Sequence, residues 1–150
     1  MSEMNKCIRS GIVSFGDHFD LRREVFELFG KMKCGVWGRK DIWKNGEDKV
    51  VCLLKEEDEK SGWNNMKIYG EEFDGRGWKE VVGIEMENND ADEHDRFSRE
   101  KKDGEMYVFY KMKRLGVEWY KFYGMFKFEE GEEGILRRVS KSGKVRKEVV

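Results

Sequence analysis

Apolar residues along the chain follow two different rhythms. Near the N-terminus, Leu21, Val25, Leu28 and Phe29 recur at i, i+4, i+7 and i+8, which lines one face of a helix. Asp17 or Asp20 stands where a carboxylate accepts the free first-turn amides, and Gly30 suits the left-handed position just past the helix end. Lys31 and Lys33 complement the negative end of the dipole. One N-terminal helix near residues 20–30 is expected, after an initial strand or loop over 1–16 that carries Ile8, Ile12, Val13 and Phe15.

Beyond the helix the period becomes two. Val50-Val51-Cys52-Leu53-Leu54 is a short apolar run of the kind a buried strand shows. Val82, Ile84 and Met86 alternate with Gly83, Glu85 and Glu87. Met106 to Met112 puts Met106, Val108 and Tyr110 on one face and Tyr107, Phe109 and Lys111 on the other. Lys113-Arg114-Leu115-Gly116 turns the chain into a strand from Glu118 to Phe128. Strict alternation there groups Tyr120, Phe122, Gly124, Phe126 and Phe128 against Trp119, Lys121, Tyr123, Met125 and Lys127. Ile135 to Val139 and Lys144 to Val149 bracket Ser140-Lys141-Ser142-Gly143, a second hairpin signal. The expected class is α+β: a small twisted, barrel-like, mainly antiparallel sheet with one helix. It forms a single domain over 1–150, with flexible or loop-like segments near 55–65 and 86–104.

Composition narrows the function classes. The 150 residues are 41% charged, yet 13% are aromatic, which argues against a disordered chain. Pro, Thr and Gln are absent and Ala91 is the sole Ala. Average usage gives about seven Pro in this length. Codons for Pro, Thr and Ala need C at the second position and those for Gln need it at the first, so a C-poor coding strand explains all four gaps. No fold argument rests on them. The net charge of −1 disfavours nucleic-acid binding by bulk charge, but local segments differ. Residues 137–147 carry Arg137, Arg138, Lys141, Lys144, Arg146 and Lys147 with no acid, and residues 31–44 carry five basic side chains against Asp41. No run of 18 apolar residues and no apolar leader core appear, so a cytoplasmic or nuclear protein away from membranes is expected. Cys7, Cys34 and Cys52 read as free thiols.

Candidate chemistry is sparse. With His18 and His94, the cysteines show no metal-ligand spacing, and no cofactor is implied. The acidic residues between Glu85 and Asp95 lack the order of a calcium loop and read as solvated. Asp58 with Lys60, or Glu100 with Lys102, gives a two-metal nuclease only a minor reading. Cys34 beside Lys33 and Ser14 near His18 lack a base and an orienting partner. The suggestive pattern is aromatic residues interleaved with basic ones. Trp37 and Trp43 flank Arg39 and Lys40, Arg76 and Lys79 bracket Trp78, and Trp119, Lys121 and Tyr123 alternate on one strand face. Aromatic faces stack bases while Lys and Arg meet phosphates, although Trp and Phe more often fill cores.

Residues 105–130, EMYVFYKMKRLGVEWYKFYGMFKFEE, resemble the closing hairpin of SRA/PUA-like domains, in which the return strand reads Tyr-x-Tyr-x-Gly-x-Phe. Phe109 matches the strand aromatic, and Tyr120, Phe122, Tyr123, Gly124 and Phe126 the return strand. Phe73-Asp74-Gly75-Arg76-Gly77-Trp78 takes the place of a loop beside the pocket. The family's glycine-rich loop with a following Asn is not recognisable. The resemblance implies a compact barrel that reads a base, often modified and flipped, in an aromatic pocket. The leading expectation is therefore a non-catalytic nucleic-acid-binding module. Trp43, Trp63, Tyr69 and Trp78 would stack, and Arg39, Lys40, Arg137, Arg138 and Lys141 would contact phosphates. The alternative is a small protein-interaction module, an inhibitor or assembly factor docking through aromatics and charged loops.

Overall fold

The computed structural model describes residues 3–30, 32–33, 42–45, 50–55, 57–58, 63–88, 104–130 and 134–147. In chain order the elements are α1 (Glu3–Ser10), β1 (Ile12–Ser14), β2 (His18–Phe19), α2 (Arg22–Glu27), β3 (Met32–Lys33), β4 (Ile42–Asn45), β5 (Val50–Leu54) and β6 (Glu57–Asp58). They continue with β7 (Trp63–Phe73), β8 (Lys79–Asn88), β9 (Met106–Arg114), β10 (Val117–Phe128), β11 (Ile135–Ser140) and β12 (Ser142–Lys144). The fold is α+β with two helices rather than one, and the sheet does not close into a barrel. No helix among the described residues is long and apolar enough to cross a membrane. The chain forms two compact units. The first comprises Met1–Leu54, Glu105–Met125 and Ser140–Val150, and the second Lys55–Gly104 and Phe126–Val139.

In the first unit, β5 and β9 run parallel, pairing Val50 with Met106 through to Leu54 with Tyr110. A central strand buried on both faces needs an almost unbroken apolar run, and both VVCLL and MYVFY supply one. Val51, Leu53, Tyr107, Phe109, Tyr120 and Phe122 face a core shared with Cys7, Val25, Leu28 and Phe29 from the helical segment. Its rings meet edge-on or tilted, with Phe29 4.6 Å from Tyr107 and Phe109 5.0 Å from Phe122. Cys52, Leu54, Met106, Val108 and Tyr110 are buried on the opposite side.

Five local expectations are corrected. Residues 3–10 are helix rather than strand or loop: Met4, Cys7 and Ile8 form a helical stripe against the core that the dense charge around them hides. In α2 neither Asp17 nor Asp20 caps the first turn. The Glu24 carboxylate instead accepts the Leu21 N–H at 2.9 Å, and Leu21 is 49% exposed rather than part of the buried stripe. Gly30 does take the left-handed conformation, with φ of 73°. In β10 the alternation slips at Gly124, whose φ is 123°, so Met125 joins Tyr120 and Phe122 in the core while Tyr123 packs on Tyr110 across the strand. The expected final hairpin does not form: β12 pairs with β1 and β11 pairs with β8. The stretch read as a loop near 55–65 contains β6 and the start of β7, and the stretch from residue 86 begins with the last residues of β8, up to Asn88.

β12 also explains Gly143. A Cβ there would lie 2.6 Å from Met125 Sδ and 2.7 Å from Tyr107 Cε2, while the Tyr107 hydroxyl donates to the Lys144 carbonyl. Gly143→Ala is expected to destabilise the fold by about 1–3 kcal/mol through overpacking, read as a lower denaturant midpoint with unchanged slope.

Two buried protons predict the alkaline limit. The Cys7 thiol donates to Asp17 Oδ2 at 3.4 Å, and burial, then the Asp17 carboxylate, pushes its pKa from 9.0 up to about 12. Burial, then Glu105, also raises the Tyr107 phenol. The unfolded chain releases these protons at lower pH than the folded one. Stability is therefore full below pH 9.0 and falls as pH rises toward about 12. Unfolding midpoints measured across that window should drop, and drop less in Cys7→Ala; a flat profile would contradict the buried thiol.

Candidate nucleic-acid interface

In the second unit β11, β8, β7 and β6 lie side by side, with antiparallel registers throughout. Directly opposed residues share a face. Ile84, Met86, Leu136 and Arg138 lie inward with Glu80, and Met66, Ile68, Gly83 and Arg137 lie on the other side. Register shifts flank Tyr69, and Gly70 allows the bend: a Cβ there would lie 2.7 Å from Val82 Cγ1.

The hairpin tip is built by Asp74. Its Oδ1 accepts the Arg76 N–H at 2.7 Å and the Trp78 N–H at 3.1 Å, and its own N–H donates to the Trp78 carbonyl at 2.7 Å. Gly77, with φ of 85°, closes the turn. This ordered tip leaves Trp78 73% exposed, with Phe73 at 57% and Tyr69 at 56%. Apolar rings held in water by a hydrogen-bonded loop are the second unit's most conspicuous surface. Arg76 and Lys79 are exposed beside them, as are the acids Glu71 and Glu72.

Adjacent arginines on β11 have opposite fates. Arg138 Nη2 bonds Glu80 Oε2 at 3.0 Å, with the side chains only 11% and 5% exposed. It is a buried ion pair, and its guanidinium is not presented to solvent as expected. Arg137 lies across Gly83, where a Cβ would sit 3.1 Å from its Nη1, and its Nε bonds Glu129 Oε2 at 2.9 Å. Its side chain is 41% exposed.

The other anticipated site residues are placed as follows. Trp43 opposes Val51 on β4, and Trp63 opens β7 opposite Asn88. Their backbones alone are described. Arg39 and Lys40 lie outside the described residues, as do Trp37, Cys34, Lys60, Glu100, Lys102, His94 and the acidic run from 89 to 95. Lys141 is exposed in the first unit, its carbonyl accepting the Phe15 N–H at 2.7 Å. The expected Trp119, Lys121, Tyr123 face is not a stacking surface. Tyr123 is 5% exposed, packed against Tyr110, and Lys121 Nζ lies 5.3 Å over its ring. The roles of Gly83 and Glu129 in holding Arg137 escaped the sequence reading; the glycine inside the Val81-Val82-Gly83-Ile84 run was the available signal.

No protein-family model matches the chain, and no curated protein matches its sequence. Among solved structures it is similar to "The 5-Hydroxymethylcytosine-Specific Restriction Enzyme AbaSI", with a TM-score of 0.68 and 16% identity. The match covers 96% of this chain and 45% of that one, so the chain spans less than half the length of the enzyme. At that identity the two share a fold.

The two arginines should separate in unfolding experiments. Arg138→Ala removes the guanidinium bonded to the buried Glu80 carboxylate and is expected to cost about 3–5 kcal/mol. Arg137→Ala removes a half-exposed pair and should cost under about 1 kcal/mol. Equal losses would contradict the assignment.

Proposed function

We propose that this chain is a nucleic-acid-binding module that reads a base, in the manner of SRA/PUA-like domains. The observation that carries the reading is the β7–β8 hairpin, whose Asp74 turn leaves Phe73 and Trp78 in solvent and whose first strand exposes Tyr69, with Arg137, on the adjoining β11, paired to Glu129. The shared fold with a 5-hydroxymethylcytosine-specific enzyme supports it, and makes a modified cytosine the first ligand to try. Tyr69 and Trp78 stack bases, and Arg137 and Lys79 contact phosphates. Trp43, Trp63, Arg39, Lys40 and Lys141 keep the roles their sequence context suggests. Acidic neighbours at Glu71, Glu72 and Glu129 limit the number of phosphates the surface accepts, so stacking carries most of the affinity.

Anisotropy titrations with labelled duplexes containing cytosine, 5-methylcytosine or 5-hydroxymethylcytosine, and with single strands, test this. Binding is expected at low salt, tightest for a modified base. The salt slope should correspond to about five phosphates, one for each cation named above. Tyr69→Ala with Trp78→Ala should weaken binding at every salt concentration, by about 1–3 kcal/mol for each stacked base. Arg137→Glu should weaken it and flatten the slope by about one phosphate. No binding to any of these at low ionic strength contradicts the proposal. A stoichiometric protein partner that survives nuclease treatment and is lost in the same variants would favour the interaction-module reading.

A further inference from the structure

The turn between β9 and β10 combines three features that folding alone does not require. Leu115 has φ of 51° and Gly116 φ of 79°, the positive pair of a tight hairpin turn whose first position ordinarily belongs to Asn, Asp or Gly. A leucine there is strained, because its Cβ crowds the backbone. The side chain gains nothing in compensation from the fold: Leu115 is 95% exposed, and Val117 next to it is 64% exposed. Lys113 and Arg114 precede it, both exposed. Behind the tip, Lys111 Nζ bonds Glu118 Oε2 at 3.0 Å across the two strands, so the turn projects from a braced ladder.

A strained, solvated, apolar knuckle flanked by cations fits a polyanion with an apolar interior within reach. We infer that this turn is a second nucleic-acid contact, in which Leu115 wedges against base edges in a duplex groove while Lys113 and Arg114 hold the phosphates on either side. The inference rests on the nucleic-acid reading above and adds duplex DNA as the partner of this turn. Duplex DNA is favoured over a lipid surface because the apolar tip is only one leucine and one valine, with Glu118 immediately behind them. Strain kept at an exposed position is the mark of a contact made elsewhere than within the fold.

The test uses the full chain, Leu115→Gly and Lys113→Ala with Arg114→Ala. Each is titrated into a labelled duplex carrying 2-aminopurine, a single strand of the same sequence, and vesicles of mixed phosphatidylcholine and phosphatidylserine. Leu115→Gly relieves the positive φ, so its thermal midpoint should stay level or rise. Its duplex affinity should nevertheless fall about tenfold, and the 2-aminopurine signal of unstacking should shrink. Single-strand affinity should change little. The double variant should lose duplex affinity and about two phosphates of salt slope. Unchanged duplex affinity in Leu115→Gly, with the parent binding normally, overturns this inference and leaves the base-reading surface intact. A parent that binds neither duplex nor single strand overturns both. Binding to vesicles that depends on Leu115, without such dependence on duplex, assigns the turn to a lipid surface and overturns the inference.

Discussion

Glu80 and Arg138 form an ion pair taken almost wholly out of water, and the surface of the second unit depends on it. Two such charges are tolerated in the interior only when each satisfies the other, so the pair strongly penalises any arrangement that separates them. Alternation along β11 then leaves no choice for its neighbour: with Arg138 inward, Arg137 points outward. A slip of one residue would reverse both, separating Arg138 from Glu80 and turning Leu136 into solvent. Gly83 completes the arrangement, since a Cβ there would crowd the Leu136 carbonyl at 3.0 Å and Arg137 Nη1 at 3.1 Å. The outward-facing, Glu129-paired Arg137 is therefore a consequence of one buried contact, while the exposed rings are set by the Asp74 turn.

The first unit is organised by rings rather than charges. Phe19, Phe29, Tyr107, Phe109 and Phe122 interlock at edge-on or tilted angles, and both helices contribute to the same core. Gly124 lets one strand serve two sides by shifting the alternation, so that Tyr123 keeps the face strict pleating gives it while Met125 crosses to join Tyr120 and Phe122. At the far end of the same hairpin, Leu115 is held in a conformation its side chain disfavours. Packing accounts for the glycine; no contact among the described residues accounts for the leucine, which is 95% exposed.

The strands were legible wherever burial imposed a simple rhythm. Val51–Leu54 and MYVFY are buried on both faces, and in β8 the expected alternation holds from Ile84 to Glu87 but not before it, where Glu80 and Val81 are both buried. What escaped was set by tertiary context. In α1 three apolar residues among charges make too thin a stripe to stand out, and it is the core against it that stabilises the helix. The chain after β11 looks like a hairpin by its turn residues, yet β12 finds β1, a partner from the other end of the sequence. For the site, Tyr69 and Trp78 were legible as aromatics beside basic residues. That Arg138 is buried while Arg137 is exposed depends on which face of β11 meets Glu80, which no local pattern reveals.

The central claim is that the exposed hairpin tip, and Trp78 above all, meets a base. Indole N–H resonances of the five tryptophans offer a direct reading of it during titration with a duplex containing 5-hydroxymethylcytosine. The account predicts that the Trp78 signal, identified through Trp78→Phe, shifts and broadens with saturation, together with the Arg137 Nε–H. A Trp78 signal that stays in place while the DNA is bound would contradict it.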